Sequence, residues 1–238
     1  MYCIKINRFY ELQIVILKNI NNLYNIMSNY KSQFEQDKHV LSIYNNKING
    51  YFVEVGAYDG IESSNTYVLE KDFNWLGLCV ECNPRFYNTL VHSRSCHKSN
   101  YAVYGVNGRE MEFYDSGGYA GLVETNNHKH IVNDTKIIVK TKTLTTLLDE
   151  VNAPSFIEYL SLDTEGSEYE ILKAHDFDKY KFGYICVEHN SIEKNRRLIR
   201  ELLETKGYRF TRENGNNYWG VIDDEYVLKN LNEYTVNN

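Results

Sequence analysis

The chain has 238 residues, 42% hydrophobic and 14% aromatic, which excludes a disordered polypeptide and suits one α/β domain around a single core. Its formal net charge is −6, yet residues 1–50 hold six Lys/Arg against three Asp/Glu, so the remainder is more acidic still. A core that acidic is a poor general phosphate binder and excludes nucleic acid as the first-choice partner. Cys3, Cys79, Cys82, Cys96 and Cys186 are scattered and odd in number, as suits a reducing compartment. No apolar run approaches the roughly 20 residues of a membrane span, and Ile14-Val15-Ile16-Leu17 is too short for a signal-peptide core. The expectation is a soluble, cytoplasmic protein, in a host cytoplasm if its source is viral.

Residues 1–27 read as an Asn-rich N-terminal extension that need not belong to the fold, with Met27 a candidate start. Residues 28–225 read as a single domain and 226–238 as a C-terminal tail. The spacing predicts a short helix within 28–49, then a buried strand Tyr51–Val55 that runs into a turn with Gly56 and Gly60. Ser64 or Asn65 is expected to cap the next helix, around Tyr67–Leu69. Trp75–Val80 is an apolar strand ending in Glu81, and Asn83-Pro84 starts a helix with Asn as cap and Pro at the first position. A third strand is expected around Asn100–Tyr104, a further one at Met111–Tyr114, and a mobile glycine-rich loop at Ser116–Asn127. Ile137–Thr141 and Phe156–Leu162 read as strands, Leu144–Glu150 and Ser167–Ala174 as helices, and Tyr184–Val187 as a short strand. Residues 192–206 form an amphipathic helix whose Glu193/Arg197, Arg197/Glu201 and Arg200/Glu204 pairs face solvent. Tyr208–Phe210 and Tyr218–Val221, joined through Asn214-Gly215-Asn216-Asn217, close the chain as a hairpin. Strands alternating with helices imply a doubly wound, mostly parallel sheet with an antiparallel C-terminal hairpin.

Ligands of such a sheet sit at the carboxyl ends of its strands, where this chain places Glu54, Asp59, Glu81, Asp163, Glu165 and Glu188. Glu81 lies 25 residues after Gly56, near the offset of roughly 20 at which an acid receives ribose hydroxyls in dinucleotide folds. NAD and S-adenosylmethionine both satisfy that spacing. A carboxylate about 4 Å from a phosphate charge costs about 4 kcal/mol at an effective dielectric of ~20, so the acids disfavour a pyrophosphate. They favour a sulfonium and an ammonium.

The ordered motifs Glu54-x-Gly-Ala-x-Asp-Gly, Ser64-Asn65-Thr66-Tyr67, Glu81-x-Asn83-Pro84, Asn100-Tyr101-Ala102-Val103, Leu162-Asp163-Thr164-Glu165-Gly166-Ser167-Glu168 and Val187-Glu188-His189-Asn190 resemble the FkbM family of S-adenosylmethionine-dependent methyltransferases. The resemblance runs from about Tyr51 to Val221. It implies the Rossmann-like, seven-stranded class I fold and transfer of a methyl group, usually to a hydroxyl oxygen. By that resemblance Glu54, Gly56, Ala57, Tyr58, Asp59 and Gly60 hold the methionine end of the cofactor, with Asn65 and Thr66 beside them. Glu81 takes the ribose hydroxyls next to Asn83, Ala102 lies near the adenine, and Asp163 faces the reacting centre. Cys82 and Tyr58 depart from the commoner Glu-Pro-Asn-Pro run and Asn.

In-line transfer needs a group to take the hydroxyl proton, and the candidates are His189, Asp163 and Glu165. His189 has the most suitable unperturbed pKa, although a strand-end histidine is more often a structural hydrogen-bonder. Asp163, Glu188 and Asn190 are hard oxygen ligands that could hold Mg²⁺ and an acceptor diol, but the same acids serve the metal-free pocket that we prefer. Cys79-x-x-Cys82 resembles half a zinc site; a buried strand cysteine is the simpler reading. The acceptor is expected to be a small molecule or glycan, to which the 116–121 loop, the polar run Asn126–Asn133 and the tyrosines could bind. The rivals are a nicotinamide-dependent oxidoreductase and a non-catalytic scaffold that keeps the fold.

Overall fold

The computed structural model describes residues 29–128, 135–216 and 220–235; the expected extension 1–27 lies outside them. Seven strands form the main sheet. They are β1 (Tyr51–Val55), β2 (Leu76–Val80), β3 (His97–Ser99), β7 (Phe156–Leu162), β8 (Lys181–Glu188), β9 (Tyr208–Asn216) and β10 (Gly220–Leu228), in the order β3-β2-β1-β7-β8-β10-β9. β1 pairs in parallel with β2 and β7, β2 with β3, and β7 with β8, while β10 runs antiparallel to β8 and β9. The order reverses between β1 and β7, so two crossovers leave in opposite directions and open a crevice above the strand ends. A second sheet, β4 (Ala102–Val103), β6 (Lys136–Lys142) and β5 (Glu110–Tyr114), was not anticipated.

Alternation along the buried strands sends side chains to two apolar layers, each covered by helices. Phe52, Cys79, Tyr159 and Tyr184 pack beneath α1 (Gln36–Ile43), α2 (Tyr67–Phe73) and α3 (Pro84–Ser93). Val53, Leu78, Leu160 and Ile185 pack beneath α4 (Leu144–Glu150), α5 (Glu168–Ala174) and α6 (Glu193–Thr205). A short α7 (Asn232–Thr235) follows β10.

Several boundaries differ from the sequence reading. The third main-sheet strand is His97–Ser99, because Ala102–Val103 pairs with β6 in the small sheet. Neither Ser64 nor Asn65 caps α2; both are drawn to the Glu54 carboxylate, and Thr66 occupies the cap position. The C-terminal hairpin is longer than expected. Asn214-Gly215 lie inside β9, and β10 continues past residue 225 to Leu228 because Tyr226, Val227 and Leu228 are buried. Arg200 turns inward to Asp224 at 2.9 Å instead of meeting Glu204, and Arg196 joins it at 2.8 Å.

Candidate active site

β1 ends in Glu54-Val55 and turns at Gly56, whose φ is +84°; a Cβ there would lie 1.7 Å from the Asp163 carbonyl, so only glycine lets the ends of β1 and β7 close up. Left-handed backbone also occurs at Tyr58 (φ 50°), Glu165 (φ 60°) and Asn190 (φ 53°), one after each central strand. Non-glycine residues held this way gather at functional sites, where surrounding structure enforces the strain.

These three turns border a cavity of ≈ 350 Å³. Seven carboxylates line it: Glu54, Glu62, Glu81, Asp163, Glu165, Glu188 and Asp223. Among the described residues no Lys or Arg does. The Gly56–Tyr58 turn, Asn65, Gln33 and Gln36 complete the wall, with Gly117, Gly118 and Ala120 of the glycine-rich loop. A smaller apolar pocket of ≈ 60 Å³ adjoins it, lined by Val80, Ala102, Phe113 and Leu122, and the two share Gly56, Glu81 and Asp163.

Of the residues expected to hold the cofactor, Glu54, Gly56, Ala57, Tyr58, Asn65, Glu81 and Asp163 line the cavity and Ala102 the pocket beside it. Asp59, Gly60, Thr66 and Asn83 line neither. Asp59 Oδ1 accepts the Ile61 and Glu62 N–H groups at 2.8 Å each. Thr66 donates to Glu54 at 2.7 Å, and Asn83 caps α3 and donates to Asp115 at 2.7 Å. These four build the turns behind the wall.

Glu54 is itself largely consumed by structure. Only 4% exposed, its carboxylate accepts Ser64 Oγ, the Asn65 N–H, Thr66 Oγ1 and the Arg94 guanidinium. Arg94, 3% exposed, also binds Glu70 at 2.7 Å and the Gly60 carbonyl at 3.1 Å. Sequence reasoning missed Arg94 entirely, since nothing at the end of α3 signals an inward arginine. It holds Glu70 down to about 2, against the burial that would raise it.

The other acids have no such partner. Glu81 takes the Tyr58 N–H at 2.9 Å and the Asn83 N–H at 2.7 Å, yet burial pushes its carboxyl up to about 7. Asp163, Glu165 and Glu188 each bring one carboxylate oxygen within 4.8 Å of the others. Asp163 opens into the cavity but lies deep within it. That depth, and then the Glu165 charge, push its carboxyl well above the usual range. Glu188 is raised likewise, by burial and then by Asp163. Asn190 donates Nδ2 to Glu188 at 2.8 Å and to Glu165 at 3.0 Å. Of the three expected magnesium ligands it therefore serves as a bridging donor, and Glu165 completes the oxygen group.

The two histidines exchange places relative to expectation. His189 is 2% exposed and absent from the cavity wall; its Nε2 lies 3.7 Å from Asp224 Oδ1, and neither ring nitrogen makes a hydrogen bond. The Asp223–Asp224 stretch of β10 covers it. His128, which the sequence placed only in a polar run, sets Nε2 2.9 Å from Glu165 Oε2, and that bond raises its pKa.

The glycine-turn amides are engaged. Gly56 and Ala57 donate to the Val80 carbonyl, Tyr58 to Glu81, Gly60 to the Ala57 carbonyl, and Ile61 and Glu62 to Asp59. They offer a pyrophosphate no cradle of free N–H groups. Cys79 is buried, as the simpler reading expected, with Sγ 3.5 Å from Cys96 Sγ.

The sheet order, the reversed antiparallel edge and the acid-tipped strands define a class I methyltransferase fold. The Methyltransferase FkbM domain matches residues 54–210, so the chain belongs to that family and is a methyltransferase. No curated protein matches this sequence. Among solved structures, the precorrin-6y C5,15-methyltransferase of Geobacter metallireducens is similar at 13% identity, over 80% of this chain and 86% of that one, with a TM-score of 0.42. A TehB-like SAM-dependent methyltransferase of Corynebacterium glutamicum shows 6% identity over 89% and 97%, with a TM-score of 0.48. The Methanococcus jannaschii fibrillarin pre-rRNA processing protein shows 12% over 77% and 68%, with a TM-score of 0.45. Among the described residues no helix is long and apolar enough to cross a membrane.

S-adenosylmethionine is the cofactor expected of this class, and the donor set suits it. An acid-lined cavity without Lys or Arg accepts a sulfonium and an ammonium, and Asn65 Oδ1 is buried with no donor of its own.

Proposed function

We propose that the protein is an S-adenosylmethionine-dependent O-methyltransferase acting on a hydroxyl of a small molecule or glycan. The observation that carries this reading is the uncompensated acidic cavity at the switch point of the sheet, joined to a small apolar pocket. When bound, S-adenosylmethionine supplies a methyl carbon made electrophilic by its sulfonium. The Gly56–Tyr58 turn and Asn65 would seat the methionine end. Glu81, with an N–H on each oxygen and its remaining lone pairs free, would accept the ribose hydroxyls. Val80, Ala102, Phe113 and Leu122 would enclose the adenine.

Asp163 is our choice for the group that receives the acceptor's proton. It lines both cavities, and burial and then the Glu165 charge raise its pKa, which makes its carboxylate a stronger base. Glu188, Glu165 and Asn190 position it, and sealed His189 is left a structural part. We read the reaction as metal-free, so transfer is expected to survive chelation by EDTA.

Titration calorimetry with S-adenosylmethionine, S-adenosylhomocysteine and NAD tests the reading, on the protein and on Glu81→Ala. Adenosyl ligands are expected to bind, and tenfold or more weakly to the variant. Tighter binding of NAD would point to an oxidoreductase, and no binding by folded protein to a scaffold.

A further inference from the structure

Hydrogen-bond donors and acceptors are unevenly spread around the cavity, and the imbalance describes the molecule that completes it. The side-chain amides at the wall are held by neighbouring oxygens. Gln36 Nε2 donates to Asp223 Oδ2 at 2.8 Å, Asn65 Nδ2 to Ser161 Oγ at 2.9 Å, and Asn190 Nδ2 to Glu188 and Glu165. The amides of the glycine turn are engaged as well. Acceptors remain. Asp223 takes both its side-chain hydrogen bonds, from Gln36 and the Cys186 thiol, on Oδ2, and among the described residues none on Oδ1. Gln33, Gln36 and Asp223 border the large cavity and not the apolar pocket, so this acceptor-rich end is the one remote from the adenine position.

Charge runs the same way. Of the cavity's carboxylates only Glu54 pairs with an arginine among the described residues. A cofactor with one net positive charge leaves negative charge over. A phosphate, which brings oxygens and further negative charge, meets no lysine or arginine among the described residues that line the cavity.

Building on the methyltransferase reading, we propose that the methyl acceptor is a polyhydroxy compound carrying a protonated amine, an amino sugar in chemical class. Its ammonium would sit against Asp223 and Glu188, and its reacting hydroxyl would face Asp163. An ammonium offers three donors and a positive charge, and among the described residues the wall holds seven carboxylates and no lysine or arginine to match it. In the transfer, the hydroxyl oxygen bonds to the methyl carbon as the carbon–sulfur bond breaks. That bond's electron pair stays on sulfur, and the hydroxyl proton passes to the Asp163 carboxylate. The products are a methyl ether, a neutral thioether and a protonated acid.

The test measures methyl incorporation from radiolabelled S-adenosylmethionine into four probes at equal concentration, with S-adenosylhomocysteine affinity measured alongside. The probes are chitosan and chitin oligosaccharides of one length, glucose, and glucosamine 6-phosphate. Chitosan oligosaccharide, with free amines, is expected to be methylated at least tenfold faster than its acetylated counterpart, and the phosphorylated sugar not at all. Asp223→Asn should erase most of that ratio while S-adenosylhomocysteine affinity changes less than twofold. Gln33→Lys, at the exposed mouth, should lower the ratio too, and serves if the buried substitution impairs folding. Equal or faster methylation of chitin oligosaccharide, methylation of the phosphorylated sugar, or no methylation of any probe by protein that binds S-adenosylhomocysteine overturns the proposal. Absence of S-adenosylhomocysteine binding removes the methyltransferase reading, and the proposal with it.

Discussion

Two groups of acids stand on either side of the β1–β7 junction, and they have opposite fates. On the β1–β2 side, Glu54 and Glu70 are gripped by Arg94 and the hydroxyls of Ser64 and Thr66. On the β7–β8 side, Asp163 and Glu188 face each other and Glu165, and among the described residues no lysine or arginine lines their cavity. The first arrangement spends its charge on shaping the glycine turn. The second has no arginine among the described residues to hold it ionised, so its carboxyls are raised and it keeps the capacity to meet a cation or exchange a proton. A buried carboxylate is thus a structural part or a chemical one according to what stands beside it.

The strongest way to break this contrast is Arg94→Leu. It leaves Glu54 buried without a counter-charge and Glu70 with Lys71 alone at 3.2 Å, and removing one partner of a buried pair costs about 3–5 kcal/mol. Urea denaturation should show a loss of that order; a loss under about 1 kcal/mol would mean that the hydroxyls and N–H groups suffice. Asp163→Asn tests the other side. Methyl transfer should fall about 10²–10⁴-fold, the usual contribution of a general base, while thermal melting holds or rises because a like charge is gone.

The pH dependence of stability sharpens the comparison, because acids with and without an arginine titrate with opposite sign. Glu81 is raised from 4.5 to about 7, so the folded state keeps a proton that the unfolded chain has lost, and stability falls as pH rises through that window. Asp223, raised to about 6, adds to the decline. Glu70 is lowered to about 2, so its contribution is present above 4.5 and lost as pH falls toward 2. The cofactor-free protein should therefore be most stable near pH 5, by denaturation at pH 3, 5 and 7.5. Glu81→Gln should flatten the upper limb and Glu70→Gln the lower one. The smallest effect is expected at His189: His189→Gln should change methyl transfer less than about threefold, and a loss like that of Asp163→Asn would return the base to the histidine.

Much of the frame was legible in the chain. Tyr51–Val55 and Phe156–Leu162 are short apolar runs closed by an acid or a glycine, a local pattern that states both the strand and where it ends. Asn83-Pro84 announced its helix for the same reason, the cap being a matter of neighbouring residues. The hairpin was read too short because Asn214-Gly215 is turn chemistry in isolation, whereas pairing with β10 holds it extended. His189 looked suitable because histidine is a common general base by residue type, but burial beside Asp224 depends on a strand 35 residues further on.

By itself, the sequence determined the alternation of strands and helices, the position of the glycine turn, and the acids that stand at the strand ends. These follow from side-chain period and backbone freedom over a few residues. Only the tertiary structure decided which acids meet an arginine and which do not, which histidine reaches them, and that Gln36 closes the cavity on Asp223 from 187 residues away. Charge and hydrogen-bond compensation act through space over a few ångströms, and no local pattern records which distant residue will arrive there.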